Sequence, residues 1–188
     1  RFGLNVRKEF SLSDHHVLIG NVGRLVPMKG QEYLLHAFAK LSSSYPHARL
    51  ILVGDGELRE RLVQITNSLF IHNQVIFAGF RDDLQALYSA FDIYAHPSIE
   101  GGGETFPFAV LQALAQELPV VVTRVGDVPY MVAEGVNGFV VPDRNVDALE
   151  AQLRQLLEHS SLRQAMAHKS RELLLKHFTT ERMVDAVV

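Results

Sequence analysis

At 188 residues the chain is long enough to bury a sizeable core, and roughly one domain per 100 to 200 residues makes a single domain, or one lobe of a larger enzyme, the leading count. Apolar residues make up 47% and charged residues 21%, which excludes a disordered chain. Eighteen Lys plus Arg against 21 Asp plus Glu leave a formal charge of −3, which argues against nucleic acid as a partner, and the absence of cysteine removes disulfides, thiolate nucleophiles and Cys-ligated zinc.

In chain order, the apolar runs 17–22, 49–53, 75–78, 92–95, 119–122 and 138–141 are short, rich in β-branched residues and mostly not alternating in polarity. They read as strands buried on both faces. Helical stretches lie between them at 31–41, 57–67, 83–90, 108–116 and 129–134, the first with Leu34, Leu35, Phe38 and Leu41 along one face. Regular alternation of strand and helix predicts an α/β fold: a Rossmann-like, doubly wound, parallel six-stranded sheet with helices on both faces. Two further helices, 146–158 and 162–177, are expected to pack across one face. With no internal repeat or linker, residues 1–188 are expected to form a single domain. No apolar run approaches the roughly 18 residues of a membrane span. No secretory signal is visible, and the chain opens on Arg1 and closes on Asp185-Ala-Val-Val188 in what reads as mid-helix, so an excised segment is expected.

Ligands of such sheets bind outside the carboxyl ends of the strands, so the residues after each strand are the candidates. Arg24 and Lys29 flank a proline and precede Gly30 at a helix start, an arrangement suited to a diphosphate; two solvated surface cations is the alternative. Gly54-Asp-Gly56 fails as a dinucleotide fingerprint because Arg59 stands where the third glycine belongs, and a tight turn that lines a cleft fits it better. Glu100-Gly-Gly-Gly-Glu104 followed by Thr105-Phe106-Pro107-Phe108 offers bare backbone near a helix start and a carboxylate for hydroxyl groups; a flexible surface loop is the alternative. The nine histidines contain no metal-binding spacing, and His96 reads as a structural residue. No Asp-x-Asp pair, nucleophile elbow or Walker lysine occurs, so no metal site is expected.

Taken in order, Gly23-Arg24-Leu-Val-Pro-Met-Lys29-Gly30, Leu52-Val-Gly-Asp-Gly-Glu57, Val75-Ile-Phe-Ala-Gly79, Asp92 with Pro97-Ser98, Glu104 through Ala113-Leu-Ala115, Pro119-Val-Val-Val-Thr123 and Gly138-Phe-Val-Val-Pro142 form a recognisable set. The set resembles the C-terminal, donor-binding lobe of retaining glycosyltransferases of the two-lobed GT-B architecture, the glycosyl transferases group 1 family, over nearly the whole chain. The resemblance implies that Arg24 and Lys29 hold the donor diphosphate and stabilise the leaving nucleotide. The family's glutamate, seven residues, glutamate signature falls on Glu104 and Gln112: Glu104 would contact the transferred sugar, and Gln112 stands where a glutamate grips the ribose. Further donor contacts are implied at Gly23, Gly54, Gly56, Gly79, Arg81, Thr105, Phe106 and Phe108, with the base read by the loop after Gly79. Gln112 keeps hydrogen bonding but loses charge assistance, on the order of 1 kcal/mol. Pro107 deletes one N–H at the helix start, and Gly126-Asp127-Val-Pro129-Tyr130 departs from the family's Gly-Gly-x-Pro-Glu.

The resemblance further implies a UDP-, GDP- or ADP-sugar as substrate, no cofactor, no metal in the transfer step, and the chain's own N-terminal lobe as partner. That lobe would supply the acceptor site and any peripheral membrane contact, with the donor lobe in the cytoplasm, and the isolated chain is expected to be inactive. Two rivals stand beside this reading: a non-catalytic interaction domain on the same fold, and a sugar phosphorylase-type relative. A nicotinamide dehydrogenase is disfavoured by the incomplete glycine fingerprint.

Overall fold

The computed structural model describes residues 2–101 and 107–178. Its elements in chain order are α1 (Phe2–Glu9), β1 (Val17–Val22), a 3₁₀ turn (Pro27–Lys29), α2 (Gln31–Ser42), β2 (Ala48–Val53), α3 (Arg59–Ser68), β3 (Val75–Gly79) and α4 (Leu84–Tyr88). These are followed by β4 (Ile93–His96), α5 (Phe108–Ala115), β5 (Val120–Thr123), α6 (Val128–Met131), β6 (Gly138–Val141), α7 (Val146–Glu158) and α8 (Ser160–His177). All six expected strands form, each within a residue or two of its expected bounds.

The strands make one sheet in the order β3-β2-β1-β4-β5-β6, parallel throughout. This is the doubly wound arrangement, and the chain reverses its winding direction between β1 and β4. Consecutive strand residues point to opposite faces. Ile19, Leu50, Leu52, Ile93 and Val121 therefore pack under Leu34, Leu35, Phe38 and Leu41 of α2 and Leu149, Leu153 and Leu156 of α7. Leu18, Ile51, Tyr94, Val120 and Val122 face Val6 of α1, Leu87 and Tyr88 of α4, and Val110, Ala113 and Leu114 of α5. Burial on both faces is why the strands read as continuous apolar runs.

Two expectations need correction. The last two helices do not share one face: α7 packs on α2, whereas α8 packs mainly on α5. Met166, early in α8, joins the α2 side, and Leu174, two turns later, joins the α5 side. Between them the buried Ser170 Oγ lies 2.6 Å from the carbonyl of Leu118 and 3.3 Å from that of Asn137, residues that precede β5 and β6. The helix thus passes the amino ends of these strands. Ser170→Ala removes the hydroxyl donor at 2.6 Å from the Leu118 carbonyl, while the Asn137 carbonyl keeps the Val120 N–H at 3.2 Å, and should cost about 1–3 kcal/mol, read as a lower urea midpoint at unchanged slope.

The second correction is α1, which the sequence pattern does not announce. Val6 is deeply buried and Gly3 lies against the Ser89 carbonyl, so the helix packs on α4, and polar contacts with distant residues fix it further. Arg7 Nε donates to the Ala90 carbonyl at 3.1 Å and Nη2 to Asp92 Oδ2 at 2.5 Å. The same Asp92 oxygen accepts from the Leu18 N–H at 2.7 Å, which ties α1 to the starts of β1 and β4.

Candidate functional site

The loops after β1, β2 and β3 are stitched into one platform by backbone hydrogen bonds. Gly23 N–H donates to Val53 O at 2.9 Å, Leu25 N–H to Asp55 O at 2.9 Å, and Gly54 N–H to Gly79 O at 2.8 Å. The loops lie so close that a Cβ on Gly54, whose φ is +132°, would stand 2.1 Å from Gly23 O. A Cβ on Gly56 would stand 2.5 Å from Leu25 O. The Gly54-Asp-Gly56 segment is therefore a tight turn built for backbone packing, and it does line a cleft. On the other side, Gly30 adopts the left-handed conformation between the 3₁₀ turn and α2, where a Cβ would meet Pro97 O at 2.0 Å. Gly30 and Gln31 are buried, and Ile99 N–H donates to Met28 O at 2.9 Å, so α2 begins beneath the segment after β4.

Above the platform opens a cavity of about 410 Å³, within the usual size of small-molecule sites. Its floor is Val22, Val53 and Leu84, and its walls are Gly23, Arg24, Gly54, Asp55, Phe80 and Arg81. Of the candidate residues the fold thus gathers Gly23, Arg24, Gly54 and Arg81 around one space. Lys29 adjoins it, its aliphatic stem running 3.7–3.8 Å from the position a Gly23 Cβ would take. Gly56 lies under the Leu25 carbonyl, and Gly79 closes β3 with φ +70° and open space beside it.

The two arginines of the cavity differ in their surroundings. The Arg24 side chain is exposed, its backbone is pinned by a 2.9 Å bond from Gln31 Nε2 to Arg24 O, and no carboxylate among the described residues pairs with it. Arg81 is fully engaged. Its Nε and Nη2 donate to the two oxygens of Asp83, each at 2.8 Å, and its Nη1 and Nη2 donate to the two oxygens of Glu9 at the end of α1. The guanidinium also stands over the Phe10 ring, 5.9 Å from its centre. These hydrogen bonds, first to Asp83 and then to Glu9, push the Arg81 pKa up, and the bond to Arg81 holds the Asp83 carboxyl below its usual range.

The remaining candidates lie elsewhere. Gln112 is exposed on α5 and borders a separate depression of about 130 Å³ with Gln85, Tyr88, Ala115 and Gln116. Phe108, at the start of α5, is 76% exposed. Glu104, Thr105 and Phe106 fall outside the described residues. His96 is buried, with Tyr94 OH 3.4 Å from Nδ1 and Ser98 Oγ 3.1 Å from Nε2, as a structural histidine should be. Sequence reasoning singled out neither Phe80 in the cavity wall nor Leu84 in its floor; the signal available was a large apolar residue between Gly79 and Arg81 directly after a strand, and Phe80 is 82% exposed. Among the described residues no three His, Asp or Glu side chains are grouped to hold a metal, and no helix is long and apolar enough to cross a membrane.

The family model described as "Glycosyl transferases group 1" matches residues 5–173. The chain belongs to the glycosyl transferases group 1 family. Among its relatives, the lipopolysaccharide core biosynthesis glycosyltransferase LpsE of Rhizobium meliloti is 31% identical over 169 residues, 90% of this chain and 48% of LpsE. N-acetyl-alpha-D-glucosaminyl L-malate synthase of Bacillus anthracis is 27% identical over 180 residues, 96% of this chain and 46% of that enzyme. In three dimensions the group 1 domain superposes on HepE of Anabaena, crystallised with UDP, with a TM-score of 0.87 and 26% identity over 99% of this chain and 52% of HepE. HepE has also been crystallised with UDP-glucose. The chain thus spans about half the length of the relatives it matches.

Proposed function

We propose that this group 1 domain is the donor-binding lobe of a retaining, metal-independent glycosyltransferase that moves a hexose from a nucleoside diphosphate sugar to an acceptor. The observation that carries this reading is Arg24: an exposed guanidinium with no carboxylate partner among the described residues, on the wall of a cavity at the carboxyl ends of the strands. Arg24 and Lys29 would hold the diphosphate. As the bond between the sugar C1 and the diphosphate oxygen breaks, the electron pair passes to that oxygen, and two fixed cations stabilise the charge that develops. The acceptor hydroxyl oxygen forms the new bond to C1 from the same face and gives up its proton to the departing diphosphate oxygen. Glu104 would contact the sugar, Thr105, Phe106 and Phe108 would border it, and Gln112 would meet the ribose hydroxyls. The acceptor would be bound by the protein's other lobe, and the donor lobe would face the cytoplasm.

The test is isothermal titration of the chain with UDP, GDP and ADP and with the corresponding nucleotide sugars, in the presence of a chelator. Saturable binding of one diphosphate without metal is expected, and Gln112→Glu should strengthen it several-fold by restoring a charge-assisted bond. A flat titration across the panel sinks the donor-lobe reading. Binding that requires Mg²⁺ sinks its metal-independent form. Binding that Gln112→Glu leaves unchanged removes Gln112 from the ribose site, consistent with its place outside the main cavity.

A further inference from the structure

We infer that Glu9 and Asp83 are positioning residues: by locking Arg81 they hold in place the cavity wall at which the donor-lobe reading sets the nucleoside, apart from the Gly23, Arg24 end that takes the diphosphate. The inference rests on the nucleotide-binding reading above. Two arginines wall the same cavity, and either alone would suit a phosphate. Four hydrogen bonds to two carboxylates, however, occupy most of the five donors of Arg81. The cluster of one guanidinium and two carboxylates carries a net negative charge, which repels a diphosphate. What Arg81 presents to the cavity is a flat, immobilised surface beside the exposed Phe80 ring, its positive charge outweighed by the two carboxylates, which suits an uncharged heterocycle. Arg24 is left as the cation that a phosphate meets on the cavity wall, with Lys29 beside it. Phosphate is thereby excluded from one end by charge and drawn to the other.

The clamp also reaches across the chain. Glu9 and Phe10 come from the end of α1, which is anchored independently through Arg7 to Asp92, so the wall of the cavity is held by an element that contributes nothing else to it. Without Glu9 the guanidinium keeps its pair with Asp83 but loses its second clamp, regains freedom that a bound base must freeze again, and the cluster loses the net negative charge that repels phosphate.

The experiment compares Glu9→Gln, Asp83→Asn and the double variant with wild type. Affinities are measured for whichever of UDP, GDP and ADP binds tightest and, by competition, for inorganic pyrophosphate. The expected result is nucleoside diphosphate binding weakened about three- to tenfold in Glu9→Gln, with pyrophosphate binding unchanged or tighter, so that the ratio of the two affinities falls. Glu9→Asp should recover part of the ratio. A parallel loss for both ligands would make Glu9 a merely structural residue and overturn the proposal, as would no change in either. Unfolding of Glu9→Gln would move the comparison to Asp83→Asn, which touches Arg81 from its own loop. If wild type binds no nucleotide, the donor reading itself has failed and this inference goes with it; if wild type binds and the ratio stays fixed, only the positioning role has failed.

Discussion

Gly54→Ala is expected to lower the melting temperature by about 10 °C. Two costs combine. At φ +132° an L side chain is strained by about 1–3 kcal/mol, and the new Cβ would stand 2.1 Å from Gly23 O and 2.9 Å from Gly23 C, an overlap worth about another 1–3 kcal/mol. The obstacle is backbone on a neighbouring strand end, so no side chain can rotate away to relieve it. Relief means parting the loops after β1 and β2, which breaks the bond from Gly23 N–H to Val53 O and the one from Leu25 N–H to Asp55 O. Gly79→Ala is the control. Its φ is +70°, but nothing lies within 4 Å of the Cβ position, so it should show the conformational cost alone, about 1 kcal/mol. Calorimetry of the two variants reads the difference, and equal melting temperatures for Gly54→Ala and wild type would show that the loops are not packed as described.

The contrast between these two glycines marks how far the sequence could be read. Six strands were legible because burial on both faces leaves a local trace, a β-branched run such as Pro119-Val-Val-Val122, that needs no knowledge of its neighbours. The position of Arg24 and Lys29 followed from the general rule for carboxyl strand ends, and so did the tight turn at Gly54. What was not legible depends on partners far along the chain. Nothing near Arg81 in sequence indicates that Glu9, 72 residues earlier, closes on its guanidinium, so Arg81 read as one more donor contact in the loop after Gly79. Similarly, α1 is held by Arg7 reaching residues more than 80 positions away, and its own apolar pattern is too slight to announce a helix. α8 crosses between faces where Ser170 meets the carbonyls of Leu118 and Asn137, and a single serine in a helix gives no notice of that. The family resemblance supplied Glu104 and Gln112 as a pair; the fold sets Gln112 in a depression of its own and leaves Glu104 outside the described residues.

Arg24→Ala is expected to weaken nucleoside diphosphate binding about 10- to 100-fold, the loss of one charge-assisted contact to phosphate, and to leave the melting temperature within about a degree of wild type. The two expectations follow from the same geometry. The guanidinium is exposed and has no carboxylate partner among the described residues, so removing it breaks nothing in the fold. The Arg24 peptide, by contrast, is fixed from both sides: Gln31 Nε2 donates to its carbonyl at 2.9 Å, and the next residue, Leu25, donates its N–H to Asp55 O at 2.9 Å. These contacts are to backbone and survive truncation of the side chain, which leaves the cavity shape intact. The variant therefore separates binding from stability, as Gly54→Ala does not. Its salt dependence provides a second reading. A cation that meets a phosphate loses affinity as salt rises, and the slope against ionic strength should become shallower in Arg24→Ala. Arg81→Ala should differ in both respects: it strands Glu9 and Asp83 as adjacent, unpaired carboxylates and loosens α1 from the loop after β3. A stability loss with Arg81→Ala, set against an affinity loss and a shallower salt slope at unchanged stability with Arg24→Ala, would assign the two arginines of one cavity to different work. Equal affinity and equal slope for Arg24→Ala and wild type would remove the diphosphate from this wall of the cavity.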